Sequence, residues 1–219
     1  MHKLTICYNI PMRTVTPAEL VRMLHERLEP VERADMLVDA IEGKRPDARK
    51  AAVLIALFEQ EHVLHIAFIR RATTLRSHSG EIAFPGGGVD ATDTSPAMTA
   101  LREAYEEIGL EPAFVEVLGV LPPVFTVVSN YLITPIVAYL PQGLGEIRLQ
   151  ASEVTELLLV PLPALADPAI AHTELWSRGG MTRTVYFYDH GSYRIWGATG
   201  RILAMLLELI HDIWREDTL

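Results

Sequence analysis

A single cysteine, Cys7, stands in 219 residues, so no intramolecular disulfide can form and a reducing compartment is expected. No apolar run is long enough to span a bilayer, and Met1 through Tyr8 lack the apolar stretch of a secretory signal. Basic residues are also scarce: 19 Lys and Arg stand against 28 Asp and Glu, a formal net charge of -9. A general nucleic-acid binder needs a basic face, so nucleic acid is set aside as a partner, and so is the membrane. A cytoplasmic location is the expectation. Anionic small molecules stay open as substrates, because bound cations can reverse the local field. What the chain does have is core material, 49% hydrophobic and 21% charged, enough for one large domain or a domain with an extension.

One stretch organises the rest, Phe84-Pro85-Gly86-Gly87-Gly88 through Leu110. Ser95-Pro96 supplies a cap and a first helical position, and Gly109 supplies the left-handed stop, so a helix is expected between them. Residues three and four apart share a helix face, so Glu103, Glu106 and Glu107 project together. Ala97, Leu101, Ala104 and Ile108 fall on the opposite side as its buried stripe. Three glutamates on one face are either a solvated acidic surface with Arg102 as local partner, or a site for a divalent cation. Upstream, Arg70 to Glu81 holds Arg70, Arg71, Arg76 and His78. Arginine suits bidentate phosphate binding. Cations for phosphates beside carboxylates for a metal is the pairing that phosphoanhydride chemistry needs.

Around this centre the chain reads as a mixture of strands and helices. Thr16-Pro17-Ala18-Glu19 is a capping box opening a helix with Leu20, Leu24 and Leu28 on one side, and Pro30 ends it. Residues 31–50 read as a weakly helical connector. Ala51 to Leu57 and Val63 to Ile69 read as a strand hairpin about Gln60-Glu61-His62, with His65 pointing off the sheet. Val115 to Val120 and Leu132 to Tyr139 read as strands, and Pro135 suggests an edge or a bulge in the second. Pro122 to Asn130 is a loop too apolar to be merely solvated. Glu153 to Pro161 runs into a strand, with a helical turn near 162–166. A hairpin turns about His190-Gly191-Ser192, and a helix from about 198 to 214 carries Ile202, Met205, Leu206, Leu209 and Ile213 on one face. The tryptophans 176, 196 and 214 read as core or edge packing rather than a ligand cage.

Gly87, Asp93 and Arg102-Glu103-Ala104-Tyr105-Glu106-Glu107-Ile108-Gly109-Leu110 closely resemble the Nudix box. The second half matches completely. In the first half the acid is Asp93 rather than Glu, and one extra residue separates it from Arg102, with Asp90 and Asp93 both behind the glycines. Arg71-Ala72, Arg76, Gly80 and Phe84-Pro85-Gly86-Gly87 are similar to the second signature carried by the coenzyme A branch of that family. Its usual opening is weakened to Phe68-Ile69-Arg70. Phe125-Thr126, Pro135, Glu153, Pro161-Leu162 and Ile195 to Thr199 also look like this branch.

The resemblance implies an α/β fold, a Nudix-type α/β/α sandwich with a mixed sheet and a C-terminal helix. It covers about residues 48–212 and makes 48–219 the Nudix hydrolase domain, leaving 1–47 as an N-terminal helical extension of packing or oligomer-contact material, with a homodimer left open. It implies Mg²⁺-dependent hydrolysis of the pyrophosphate of coenzyme A or its thioesters to 3′,5′-ADP and a 4′-phosphopantetheine product, with Mn²⁺ as the substitute ion. Glu103, Glu106, Glu107 and the Gly86 carbonyl are the implied metal ligands. Glu103 or Glu106 is the implied base, and Arg102 orients the loop acid, Asp93. Arg70, Arg71, Arg76, His78 and Gly80 are the implied substrate-binding residues. Two other readings stay beside it: a Nudix pyrophosphatase for another nucleoside diphosphate derivative such as ADP-ribose, and a non-catalytic nucleotide-sensing module. Such modules usually lose box glutamates, and all three are present here.

Overall fold

The computed structural model describes residues 15–42, 45–73, 79–178 and 180–213. Helix α1 (Pro17–Arg27) begins at the expected capping box: Glu19 N–H donates to Thr16 Oγ1 at 3.3 Å, and Thr16 N–H donates to the Glu19 carboxylate at 2.9 Å. It buries Leu20 and Leu24, and Leu28 follows just beyond its end. The connector expected to be weakly helical contains a short 3₁₀ turn (Val31–Arg33) and a formed helix, α2 (Ala34–Glu42).

Strands β1 (Arg49–Gln60) and β2 (Val63–Arg71) form the hairpin, turning through Glu61 and His62 at φ 51° and 63°. The chain continues through β3 (Ile82–Ala83), β4 (Gly86–Gly88), α3 (Pro96–Ile108), β5 (Glu116–Val120), β6 (Val124–Thr126) and β7 (Tyr131–Leu140). Then come β8 (Val154–Pro161), α4 (Leu162–Leu165), β9 (Ala171–Arg178), β10 (Met181–His190), β11 (Tyr193–Trp196) and α5 (Gly197–Ile210).

The main sheet runs β3-β2-β1-β7-β5, with β4 added on β1, β6 on β7 and β8 on β2. Among the described residues, β1 and β7 pair in parallel and the other pairs are antiparallel, so the sheet is mixed. Alternation along β1 explains why both of its faces are buried. Ile55 and Leu57 enter a core with Leu20, Leu24 and the α5 residues Ile202, Leu203 and Leu206. Ala52, Leu54 and Ala56 enter a second core with Ala34, Ala100, Ala104 and Ile108. The result is a three-layer α/β/α sandwich: α1 and α5 on one side, α2 and α3 on the other. The Arg27 guanidinium ties α1 to the C-terminal end of α5, donating to the Leu209 carbonyl and the Asp212 carboxylate at 2.5 Å each.

Two expectations need correction. Pro135 lies in β7, an interior strand, so of the edge or bulge expected there the edge is excluded, while the facing β5 pairing is irregular between Val117 and Gly119. Its carbonyl accepts from Leu121 N–H at 3.0 Å on the side where β5 hands over to β6, so the missing N–H of proline falls at a break in the ladder. The apolar loop at 122–130 contains a strand, β6, and β9 was not anticipated at all. With β10 and β11, β9 makes a second, three-stranded antiparallel sheet. Trp176, Trp196, Phe187 and His172 stack on that sheet, Phe187 and Trp196 nearly parallel at 6.1 Å. Among the described residues, no helix is long and apolar enough to cross a membrane.

Candidate active site

Helix α3 is capped as expected. Met98 N–H donates to Ser95 Oγ at 3.2 Å, and Gly109 closes the helix at φ 72°. Its buried side is shifted from the anticipated stripe. Ala104 and Ile108 are buried, Ala97 and Leu101 only half so, and Thr99, Ala100 and Glu107 join the buried face. The shift follows from the glycine strand. β4 has no side chains, so α3 settles close against it, and a Cβ on Gly87 would lie 2.4 Å from the Glu103 carboxyl carbon. Gly86 is equally constrained. A Cβ there would lie 2.4 Å from the Ala52 carbonyl, and its φ of 154° is one that other residues rarely adopt.

The three glutamates therefore sit at graded depth instead of sharing one open face. The side chain of Glu107 is 2% exposed, that of Glu103 15% and that of Glu106 57%. Arg102 holds the group together. Its Nε and Nη2 donate to the two oxygens of Asp93 at 3.0 and 2.9 Å, a bidentate pair, and Nη2 also donates to the Gly88 carbonyl at 3.0 Å. Its Nη1 donates to Glu103 at 2.9 Å and to Glu106 at 3.2 Å. One guanidinium thus orders the loop acid, the glycine strand and two box glutamates. The Arg102 hydrogen bonds hold the Asp93 carboxyl down at about 2 against its burial. Thr94, the residue after Asp93, turns its hydroxyl to Met98 Sδ.

Glu107 is held differently. Gly86 N–H donates to its Oε2 at 2.8 Å, and Arg71 Nη1 lies 3.5 Å from its Oε1. Burial nonetheless pushes this carboxyl up to about 7, outweighing the Gly86 hydrogen bond and the Arg71 charge. Burial raises Glu103 too, opposed by Arg102. Glu153 adds its charge against both glutamates, so a fourth carboxylate faces the cluster. It stands in the turn just before β8, where Ala72 N–H donates to the Glu153 carbonyl at 2.7 Å. Only its place in the family pattern, and nothing in the local sequence, points to that role.

Of the expected substrate-binding residues, Arg70 and Arg71 part company. Arg71 turns toward Glu107 and α3. Arg70 lies 3.5 Å from Glu156 and 6.0 Å from the ring centre of Tyr193, whose hydroxyl donates to Glu156. The pairing of β2 with β8 is irregular between these two residues. Gly80 makes a turn at φ 72°, its N–H donating to the Arg71 carbonyl at 3.1 Å. Arg76 and His78 lie outside the described residues.

The donor set is hard anionic oxygen, which suits a small divalent cation. Among the described residues, no three carboxylate, imidazole or thiol groups converge closely enough to hold a metal as they stand. The reason is visible in the hydrogen bonds. Arg102 draws Glu103 and Glu106 to itself, while Gly86 and Arg71 turn Glu107 inward. The residues fit a cation in kind but not as they are placed, and closing a coordination shell would require Glu103 or Glu106 to exchange an Arg102 contact for the ion.

Known proteins give this arrangement its family. The NUDIX domain model matches residues 48–177. The protein called "Uncharacterized Nudix hydrolase NudL" in Photorhabdus laumondii is 40% identical over 162 residues, covering 74% of this chain and 85% of that one. Its namesake in Salmonella dublin is 37% identical over 178 residues, covering 80% and 90%. A MutT/nudix family protein from Enterococcus faecalis of known structure is similar at 14% identity and a TM-score of 0.47, covering 91% of this chain and 76% of that one. With the box glutamates on α3 and the matching glycine strand beneath them, the chain belongs to the Nudix hydrolases, enzymes that act on phosphoanhydrides and generally use divalent metal ions.

Proposed function

We infer that this Nudix hydrolase cleaves the pyrophosphate bond of coenzyme A or its thioesters, with Mg²⁺ as its ion and Mn²⁺ as a substitute. The observation that carries the reading is the joining of two sequence signatures in one site. Arg71, from the upstream signature similar to the coenzyme A branch, meets Glu107 of the Nudix box over Gly86, at 3.5 and 2.8 Å.

A pyrophosphate diester is anionic, so water attack needs charge neutralisation and positioning more than covalent help. Glu103, Glu106 and Glu107, with the Gly86 carbonyl, would hold the ion, which supplies neutralising charge and a more acidic bound water. Arg102 positions: its contacts to Asp93 and Gly88 fix the loop against α3, and its contacts to Glu103 and Glu106 set their spacing. Glu103 or Glu106 takes the proton of the attacking water. Arg70, Arg76, His78 and Gly80 are the remaining candidates for substrate contact, while Arg71 orients Glu107.

The weakened opening of the upstream signature at Phe68-Ile69-Arg70 favours one second reading, hydrolysis of another nucleoside diphosphate derivative such as ADP-ribose. A rate panel with Mg²⁺ over coenzyme A, dephospho-coenzyme A and ADP-ribose decides between them. The coenzyme A reading expects the highest kcat/KM for coenzyme A. Preference for ADP-ribose would replace it, and Glu106→Gln and Glu107→Gln variants with wild-type turnover would overturn the residue assignment.

A further inference from the structure

Past Glu106 the outer side of α3 borders a half-open surface cavity of about 570 Å³. The segment 144–150 forms its far wall. That wall is fastened to the end of α3 by Arg148 N–H donating to the Ile108 carbonyl and Gln150 N–H donating to the Glu107 carbonyl, both at 2.9 Å. The cavity is thus anchored to the backbone of a box residue. Its lining mixes polar and apolar surface in about equal measure, and three apolar or aromatic side chains stand exposed there among the described residues: Tyr105 is 54% exposed, Phe114 48% and Leu149 38%.

Charge decides what fits. Glu106, Glu111 and Glu146 line the cavity, and the one guanidinium there, Arg148, donates to Glu146 at 3.2 Å. The lining is net negative, so a phosphomonoester would be repelled. A neutral chain of amides and methylenes meets no such penalty. Its methylene and methyl groups match the Tyr105, Phe114 and Leu149 surface, and its amides match the Gln150 side chain of the wall. The position is also right. Glu106 lies about one helical turn beyond Glu103, roughly 5 Å along the axis. An arm attached to a diphosphate held at Glu103 would have about that distance to span to the rim at Glu106.

We propose that this cavity receives the neutral, amide-bearing arm of the diphosphate substrate, an arm of the pantetheine class, and excludes the anionic nucleotide half. The proposal rests on the substrate reading given above, and its test separates the two. Pantetheine alone is titrated into the isotope-labelled protein without metal, and 3′,5′-ADP is titrated in parallel. Pantetheine is expected to shift the resonances of Tyr105, Phe114 and Leu149, and 3′,5′-ADP is expected to leave them in place. Leu149→Trp narrows the cavity at an exposed position, so the fold is kept. It is expected to abolish those shifts and to raise KM for coenzyme A about tenfold. Cavity resonances that ignore pantetheine, or that follow 3′,5′-ADP instead, overturn the proposal, as does an unchanged KM in Leu149→Trp. Pantetheine shifts in a protein that leaves coenzyme A intact would sink the substrate reading and keep the cavity assignment.

Discussion

Replacing Gly87 with alanine should separate catalysis from folding. The new Cβ would lie 2.4 Å from the Glu103 carboxyl carbon, and ordinary contact begins at 3.4 Å, so the carboxylate must retreat by about 1 Å. Glu103 is the far end of a flexible, partly exposed side chain and can move at little cost. Stability should therefore change by about 1 kcal/mol or less. Catalysis should not tolerate the move: a misplacement of about 1 Å costs on the order of 100-fold in rate, about 2.7 kcal/mol of barrier. Gly86→Ala provides the contrast. Its Cβ would lie 2.4 Å from the Ala52 carbonyl and 2.6 Å from Val53 Cα, both backbone of a central strand, at a φ of 154°. That variant should lose several kcal/mol of stability. Thermal melts and kcat at saturating Mg²⁺ read both. A folded Gly87→Ala enzyme with wild-type kcat would refute the placement of Glu103 at the reacting centre.

Asp93→Asn should cost about 2 kcal/mol at neutral pH, the equivalent of lowering a carboxyl from 3.8 to about 2. A depressed pKa gives stability that is complete above about pH 5 and lost as pH falls through about 2, so wild-type and variant melting curves should converge only below pH 2. Glu107 has the opposite sign. Its carboxyl is raised from 4.5 to about 7, so ionising it destabilises the metal-free fold progressively across that window. Glu107→Gln should therefore stabilise the chelated protein by on the order of 2–3 kcal/mol above pH 7 and by nothing below pH 4. The same variant should lose at least about 100-fold in turnover, measured with coenzyme A and Mg²⁺. Chelation with EDTA should abolish hydrolysis, and excess Mg²⁺ should restore it, with Mn²⁺ supporting activity in its place.

Local chemistry made much of the site legible. Ser95, Pro96 and Gly109 mark the ends of α3 because caps and stops depend on neighbouring residues alone. The Arg102–Asp93 contact follows from the same short stretch. Depth was not legible: helical spacing put Glu103, Glu106 and Glu107 on one face, but only the packing of α3 onto the glycine strand sinks Glu107 and leaves Glu106 in solvent. Arg70 and Arg71 looked equivalent as neighbours in a polar run. They separate because Arg71 meets a glutamate from α3, and Arg70 meets Glu156 and Tyr193 from more distant parts of the chain. The second sheet was missed for a related reason. Ala171 to Arg178 mixes polar and apolar residues without the clean alternation of a half-buried strand, and its pairing with β10 supplies what its own pattern lacks. Pro135 shows that a rule about missing donors applies to one side of a strand only.

The most direct test is hydrolysis of coenzyme A in ¹⁸O-labelled water with Mg²⁺, with the products identified by mass spectrometry. Cleavage at the pyrophosphate should yield 3′,5′-ADP and 4′-phosphopantetheine in equal amounts, with ¹⁸O entering the phosphate of one of them. Intact coenzyme A, or cleavage at the thiol, amide or 3′-phosphate, would contradict it.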